Sequence, residues 1–155
     1  MTDMSNSPIG KPMQRREDYR FLTGAGQYTD DVVLPHQTYA VFVRSPYAHA
    51  RIRSIDIKKA LAAPGVVKIF TGADLAAAKV GGLPCGWLIH SKDGTPMKEP
   101  AHPVIAHDKV RHVGDQVALV VAETAWQAKD AVELIEVDYQ ELPPVIDISS
   151  ADKAS

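Results

Sequence analysis

The sequence contains a single cysteine, Cys85, among its 155 residues. One thiol cannot close an intrachain disulfide. Zinc and iron–sulfur sites built from cysteines need several thiolates, so the chain cannot form such a site by itself. Cross-links are also unnecessary, because a chain of about 150 residues can bury roughly 70% of the surface that its unfolded form exposes.

Neither an excess of one charge nor a long apolar run is present. The 17 basic and 19 acidic residues give a formal net charge of −2, and the basic residues are scattered. A nucleic-acid surface would require a basic stripe, so we expect no nucleic-acid partner. The longest apolar run, Val117 to Ala122, is far shorter than the roughly 20 residues of a membrane-spanning helix. We expect a cytoplasmic protein without membrane contact.

Motifs for nucleotide binding and nucleophilic catalysis are missing. Gly24 and Gly26 are not followed by a third glycine at Thr29, and they precede a predicted strand rather than a strand-to-helix turn. We interpret the pair as a turn that needs positive φ or close backbone approach, not as a dinucleotide site. The sequence has neither a phosphate-binding Gly-Lys-Ser/Thr loop nor a Gly-x-Ser-x-Gly elbow.

The histidines are weak candidates for chemistry. His102, His107 and His112 lie five residues apart, which matches neither a helix face nor a strand face, so a zinc site is not predicted. The residue types of a catalytic triad occur at Ser45, His49 and Asp56. Ser45 precedes a proline and lacks the sharp exposed turn of a nucleophile. We therefore predict no catalytic, cofactor-binding or metal-binding residue.

The first two-thirds of the chain alternates short apolar segments with turns. The pattern predicts strands at 39–44, 50–57 and 66–70, and a short helix at 58–63. The apolar phase changes between Ile52 and Ile55. A β-bulge near Arg53 and Ser54 would reconcile the two halves of that strand.

The C-terminal third carries the clearest pattern. Val117 to Ala122 is typical of a strand that is covered on both faces. Thr124 and Gln127 match the capping box of a helix start. The helix that follows presents one apolar stripe, made of Ala128, Ala131, Val132 and Ile135. A strand at 136–142 completes a unit that predicts a right-handed crossover between parallel strands.

Residues 79–101 are rich in glycine and proline and predict a long loop. Loops of this length are usually functional or mobile. Cys85 and Trp87 within it are candidate interface residues, because aromatic side chains are enriched at interfaces. Local packing is an equal alternative, since a free cysteine is ordinarily a small buried apolar residue.

These elements predict an α+β or α/β domain with a mixed sheet, one long helix and one or two short helices. We expect a flexible tail at 1–14, the domain at 15–148, and a second tail at 149–155.

A series of motifs follows one another in a characteristic order over about residues 15–148. They are Arg16-Glu17-Asp18-x-Arg20-x-Leu22-Thr23-Gly24, Gly26-x-Tyr28-x-Asp30-Asp31, Phe42-Val43-Arg44-Ser45-Pro46-Tyr47-Ala48-His49-Ala50, Ile55-Asp56, Ala63-Pro64-Gly65-Val66-Val67, Thr71-Gly72-Ala73-Asp74-Leu75, Val110-Arg111-x-Val113-Gly114, Val117-Ala118-x-Val120-Val121-Ala122-Glu123-Thr124, Ala128-x-Asp130-Ala131 and Val137-Asp138-Tyr139. This series resembles the N-terminal segment of large subunits in the molybdenum hydroxylase family, which includes xanthine dehydrogenase, aldehyde oxidase and carbon monoxide dehydrogenase.

The resemblance implies an α/β hammerhead domain of the α+β class, acting as a scaffold in a larger oxidoreductase. The parent enzyme would hydroxylate an N-heterocycle or aldehyde, or oxidise carbon monoxide, at a molybdenum–pterin centre with water as oxygen source. Its [2Fe–2S] clusters and FAD would belong to other subunits or domains. The expected partners are the remaining molybdenum-binding domains and the iron–sulfur and flavin subunits.

The chain departs from the family pattern in its length. The family's catalytic glutamate and its pterin-binding loops lie beyond position 155, so no site residue carries over to this chain. We expect the fragment alone to be inactive, with 149–155 leading to missing molybdenum-binding domains, whether by trimming or by a split gene. The alternative is a freestanding protein-interaction module without a catalytic connection.

Overall fold

The computed structural model describes residues 9–149 and 151. Parts of both predicted tails, residues 1–8, 150 and 152–155, lie outside the described residues. The described helices are α1 (Asp18–Leu22), α2 (Lys58–Leu61), α3 (Gly72–Ala77) and α4 (Ala125–Glu133). The described strands are β1 (Tyr39–Arg44), β2 (Ala50–Asp56), β3 (Val66–Thr71), β4 (Lys109–Val110), β5 (Gln116–Ala122) and β6 (Glu136–Glu141). The chain divides into two compact units between Pro35 and His36.

The first unit contains α1 and a short 3-10 turn at Thr29–Asp31. Gly24 has a φ of +73°, and a Cβ on Gly26 would overlap the Phe21 ring. Both expectations for this glycine pair, positive φ and close approach, are therefore confirmed. Helix α1 was not predicted from the sequence.

The strands of the second unit form two sheets within the described residues. One has the order β1-β5-β3 and the other has the order β4-β2-β6. Each strand pair in this part of the chain is antiparallel. The α+β class is confirmed, with α4 as its longer helix.

The predicted parallel crossover, on which the mixed sheet depended, is wrong because β5 and β6 belong to different sheets. In β6, Val137 and Tyr139 are half-buried and alternate with exposed polar residues. A strand with one apolar face suits an antiparallel sheet, whereas parallel strands are covered on both faces. β6 therefore pairs with β2, whose Ile52 and Ile55 bury in the same core.

The predicted bulge in β2 is confirmed. The register against β6 shifts between Ile52 and Ser54. Because one extra residue is inserted there, Ile52 and Ile55 both contact the core of the second sheet despite their odd spacing.

β5 supplies side chains to both hydrophobic cores. Val120 and Ala122 bury in the first core, beneath α2 and α4, while Val117 buries in the second core. The prediction of a strand covered on both faces is confirmed by these buried residues, since each face of β5 contributes to one of the two cores.

Helix α4 packs Ala128 and Ala131, both 0% exposed, against the first core. Val132 is partly buried there. Ile135 also contacts this core, but it lies beyond the C-cap Leu134, so its predicted place within the helix is wrong. The physical reason is that the helix ends in a tighter turn, in which the N–H groups of Leu134 and Ile135 bond three residues back, and β6 begins directly afterwards at Glu136.

The start of α4 confirms Thr124 as the N-cap, although the Gln127 side chain bonds to the Thr124 hydroxyl and not to the Thr124 backbone N–H as a capping box requires. The Gln127 backbone N–H donates to the Thr124 hydroxyl oxygen at 3.2 Å. That hydroxyl donates to the Gln127 side-chain oxygen at 2.9 Å. The cap satisfies one of the helix's unpaired N–H groups.

Helix α3 was not predicted, although Thr71 and Asp74 carry a recognisable capping pattern. The Thr71 backbone N–H and hydroxyl each donate to Asp74 Oδ2 at 2.7 Å. These hydrogen bonds, first that of the hydroxyl, lower the pKa of Asp74 below its ordinary value. Among residues 9–149 and 151, no helix has the length and apolar character needed to cross a membrane.

Candidate interface loop

The segment between α3 and β4 contains the candidate interface residues, and its base is closed. The Leu83 N–H donates to the His102 carbonyl at 2.8 Å. Gly82 is required beside this bond, because a Cβ there would lie 2.6 Å from the His102 oxygen. The two ends of the loop are therefore held together by backbone contact.

Residues 89–97 form a small hairpin that was not predicted within the 79–101 loop. The Met97 N–H donates to the Ile89 carbonyl at 2.9 Å, and the Ser91 N–H donates to the Thr95 carbonyl at 2.8 Å. Gly94 occupies the turn with a φ of +83°. The adjacent Asp93-Gly94 pair is a recognised hairpin signal, and it could have revealed this element from the sequence.

Large apolar side chains on this segment face solvent. We call them the loop surface: Leu83, Trp87, Leu88, Ile89 and Met97, which are 54%, 78%, 55%, 60% and 39% exposed. Exposed apolar side chains grouped within one short segment are what an interaction surface requires, so the interface role of this segment stays a prediction.

Cys85 and Trp87 lie together at the edge of the loop surface. The Cys85 thiol donates to the Trp87 carbonyl at 3.3 Å, and the Cys85 N–H donates to Glu99 Oε1 at 2.9 Å. Both Cys85 and Trp87 are exposed. Their interface role stays a prediction, but the buried, locally packed alternative for Cys85 is not what the structure shows.

A cavity of about 400 Å³ lies between this loop and the turn that precedes β5. It is lined by Leu83, Pro84, Cys85, Met97, Lys98, Glu99, Pro100, Ala101, His102, Pro103, Arg111, His112 and Asp115. Arg111, His112 and Asp115 were not predicted as part of this site, because they reach the loop only through the tertiary fold.

Asp115 is the buried charged group of this cavity, at 7% exposed. Its Oδ2 accepts the Arg111 backbone N–H at 2.9 Å, and its Oδ1 lies 3.9 Å from His112 Nε2. The Ser45 N–H donates to the Asp115 carbonyl at 2.9 Å, which ties the turn to the end of β1. The Arg111 contact holds the carboxylate and the Ser45 contact holds the backbone of this lining residue.

Tyr139 lies near this turn. Burial raises the pKa of its hydroxyl, and the nearby Ser45 hydroxyl opposes part of that rise. The Ser45 oxygen is already bonded to the Tyr47 backbone, and among the described residues the Tyr139 hydroxyl has no partner with hydrogen-bond geometry. Burial is therefore the dominant effect on the pKa of Tyr139.

The residues of the possible triad and the three evenly spaced histidines do not come together in a reaction centre. Ser45 bonds to the backbone of Tyr47, His49 Nδ1 contacts the Pro143 carbonyl at 2.8 Å, and Asp56 accepts the Lys58 N–H. His102 and His112 line the cavity, whereas His107 lies elsewhere. Within residues 9–149 and 151, no group of three or more His, Cys, Asp and Glu side chains could hold a metal ion.

Residues 23–143 match the family described as "Aldehyde oxidase and xanthine dehydrogenase, a/b hammerhead domain". The chain is 42% identical over 139 residues to the carbon monoxide dehydrogenase large chain of Afipia carboxidovorans, covering 90% of this chain and 16% of that protein. It is 38% identical over 144 residues to the nicotine 6-hydroxylase large subunit of Paenarthrobacter nicotinovorans, covering 93% and 17%. A solved structure of quinoline 2-oxidoreductase from Pseudomonas putida 86 superposes with a TM-score of 0.77 at 41% identity, covering 94% and 18%. The chain thus spans about one-sixth of the length of these relatives.

Proposed function

This chain belongs to the aldehyde oxidase and xanthine dehydrogenase a/b hammerhead family, and from that premise we propose that it is the structural domain of a molybdopterin-binding large subunit. The parent enzyme would be an oxidoreductase that hydroxylates N-heterocycles or aldehydes, or oxidises carbon monoxide, with water as oxygen source. The observation that carries this proposal is the match over residues 23–143 combined with coverage of 16–18% of the relatives.

The catalytic chemistry is assigned to the remaining domains. A molybdenum–pterin cofactor would supply the oxidation, because ordinary side chains cannot carry the electrons. The residues of this chain do not fit an iron–sulfur cluster, because the chain has one cysteine and, in the described part, no group of His, Cys, Asp and Glu side chains that could hold a metal ion. We therefore derive no step of the reaction for this chain and propose that the isolated domain is inactive.

The proposed partners are the molybdenum-binding domains together with iron–sulfur and flavin subunits. We propose that Cys85 and Trp87 belong to a contact with one of them, since both are exposed in a segment of high apolar content. The cytoplasmic location, the 15–148 domain limits, and the tail at 149–155 leading to further domains also remain proposals.

A chimeric enzyme tests the structural role. The 139 matched residues of the Afipia carbon monoxide dehydrogenase large chain would be replaced by their counterparts from this chain. We expect the chimera to be recovered folded, with molybdenum bound and with CO dehydrogenase activity. A matched chimera carrying Val110→Asp, which places a charge at a position that is 0% exposed, should lose all three properties.

The freestanding-module alternative gives a different result. In that case the isolated chain would fold normally, while the unaltered chimera would be insoluble or free of molybdenum. Stoichiometric molybdenum in the isolated chain, or turnover of purines, aldehydes or N-heterocycles by it, would contradict the assignment of chemistry to other domains.

A further inference from the structure

The loop surface is held in an ordered shape by local bonds. Its hairpin is closed by the Ile89–Met97 and Ser91–Thr95 backbone bonds, and its base by Leu83–His102. A surface that is already ordered loses less conformational entropy when it binds. The exposed apolar side chains are therefore presented by a pre-organised element rather than by an unstructured linker.

The loop surface also borders the 400 Å³ cavity, whose walls include Leu83 and Met97. A projecting apolar hairpin next to a concave apolar site is the arrangement in which interface anchors are found. In its lining, the Asp115 carboxylate is already bonded to the Arg111 backbone N–H, so the cavity does not need a cationic guest to satisfy it. An aliphatic or aromatic side chain suits its predominantly apolar wall.

The five large apolar side chains of the loop surface favour a permanent contact, while the charged Lys92 and Asp93 of the same segment lie in the turn of the hairpin. Interfaces that form once and persist resemble a protein core, whereas transient interfaces are more polar. In the relatives, a permanent neighbour of this domain would be the rest of the same protein, because each relative has more than four-fifths of its length outside the matched region. That remainder is part of the same polypeptide in each large chain.

We propose that the loop surface packs permanently against the remainder of the large subunit, which inserts one apolar side chain into the adjacent cavity. This inference rests on the function proposed above. It assigns a particular surface and a particular occupant to the scaffold role, and it makes Trp87 and Ile89 the central contacts.

The test uses the chimeric carbon monoxide dehydrogenase together with the isolated chain. Trp87→Ser combined with Ile89→Ser removes the apolar contacts from the loop surface. Trp126→Ser is the matched control, because Trp126 is 73% exposed and lies on α4, outside the loop. Circular dichroism and urea unfolding of the isolated variants establish that each of them still folds.

Cys85 provides a readout that does not depend on activity. It is the single cysteine of this chain and it is exposed, so a maleimide should label it readily in the isolated domain. In the chimera, peptide mapping should show labelling of Cys85 slowed by about tenfold or more, since reagent access would then require local opening. The double loop variant should give a chimera that is not recovered folded, whereas Trp126→Ser should match the unaltered chimera.

Each other outcome overturns the inference. If the unaltered chimera is active but its Cys85 is labelled as fast as in the isolated chain, the surface is not covered and only the proposed function survives. The same conclusion follows if the loop variant assembles as well as the Trp126 control does. If the isolated chain forms dimers that the loop variant abolishes, the occupant is a second copy. Failure of the unaltered chimera would reject the proposed function and this inference together.

Discussion

The first core should be sensitive to loss of two methyl groups at Val120. This residue is 0% exposed in the central strand β5, opposite Val41 and Ile69 on the neighbouring strands. Val120→Ala removes about 1.6 kcal/mol of transfer free energy at roughly 0.8 kcal/mol per methyl. Incomplete relaxation around the vacated space should raise the destabilisation to about 2–3 kcal/mol.

Urea unfolding followed by circular dichroism measures this cost. With an m-value near 2 kcal/mol per molar urea, the midpoint should fall by about 1–1.5 M. Val113→Ala is the control, because Val113 is 66% exposed in the turn before β5, and its change should stay below about 0.5 kcal/mol. Equal midpoint shifts for the two variants would refute the placement of Val120 in a closely packed core.

Three further predictions concern local structure and charge. Thr124→Ala should destabilise the domain by about 1 kcal/mol in urea unfolding, because the N-cap of α4 is lost; an unchanged midpoint would contradict the cap. Gly65→Ala should cost at least about 1 kcal/mol, since Gly65 has a φ of +74°, while Gly81→Ala in open space should cost far less, and equal costs would contradict this. NMR titration should place the pKa of Asp74 below its ordinary value, and Thr71→Val should raise that pKa. The contribution of the carboxylate to folding stability is therefore present above its unfolded-state pKa and is lost as the pH falls through its lowered folded-state pKa. A pKa of Asp74 that Thr71→Val leaves unchanged would reject the hydroxyl as its main cause.

Local patterns predicted those elements whose cause lies within a few neighbouring residues. The apolar run ending at Ala122 indicated a strand covered on both faces, Thr124 marked the helix start, and the phase change after Ile52 located the bulge. Each of these is determined by side-chain period or by a cap, which are visible without knowledge of the partner strand.

The pairing of the strands could not be predicted from local sequence patterns. A strand–helix–strand spacing permits a parallel crossover, but it does not require one, and the choice depended on which core could bury Val137 and Tyr139. Helix ends were also imprecise, as the position of Ile135 beyond α4 shows, because a short helix can stop wherever tertiary packing favours a turn.

The candidate site was predictable on one side only. The glycine and proline content predicted the loop that contains Cys85 and Trp87, and the structure shows both residues exposed. The opposite wall of the cavity, from Arg111 to Asp115, could not be inferred from sequence, since it approaches the loop through the pairing of β4 and β5 with distant strands.

The order of the strands also determines when this domain can fold during synthesis. In the described chain, β1 is paired with β5 alone, through contacts such as Val41 with Val120, and β2 obtains most of its pairing from β6. At roughly 5–20 residues per second, the ribosome needs several seconds between making β1 and making β5. During that interval Phe42 and its apolar neighbours have no strand to cover them, and such long-range pairing is intrinsically slow. The nascent domain is therefore exposed to aggregation until β5 and β6 have left the ribosome.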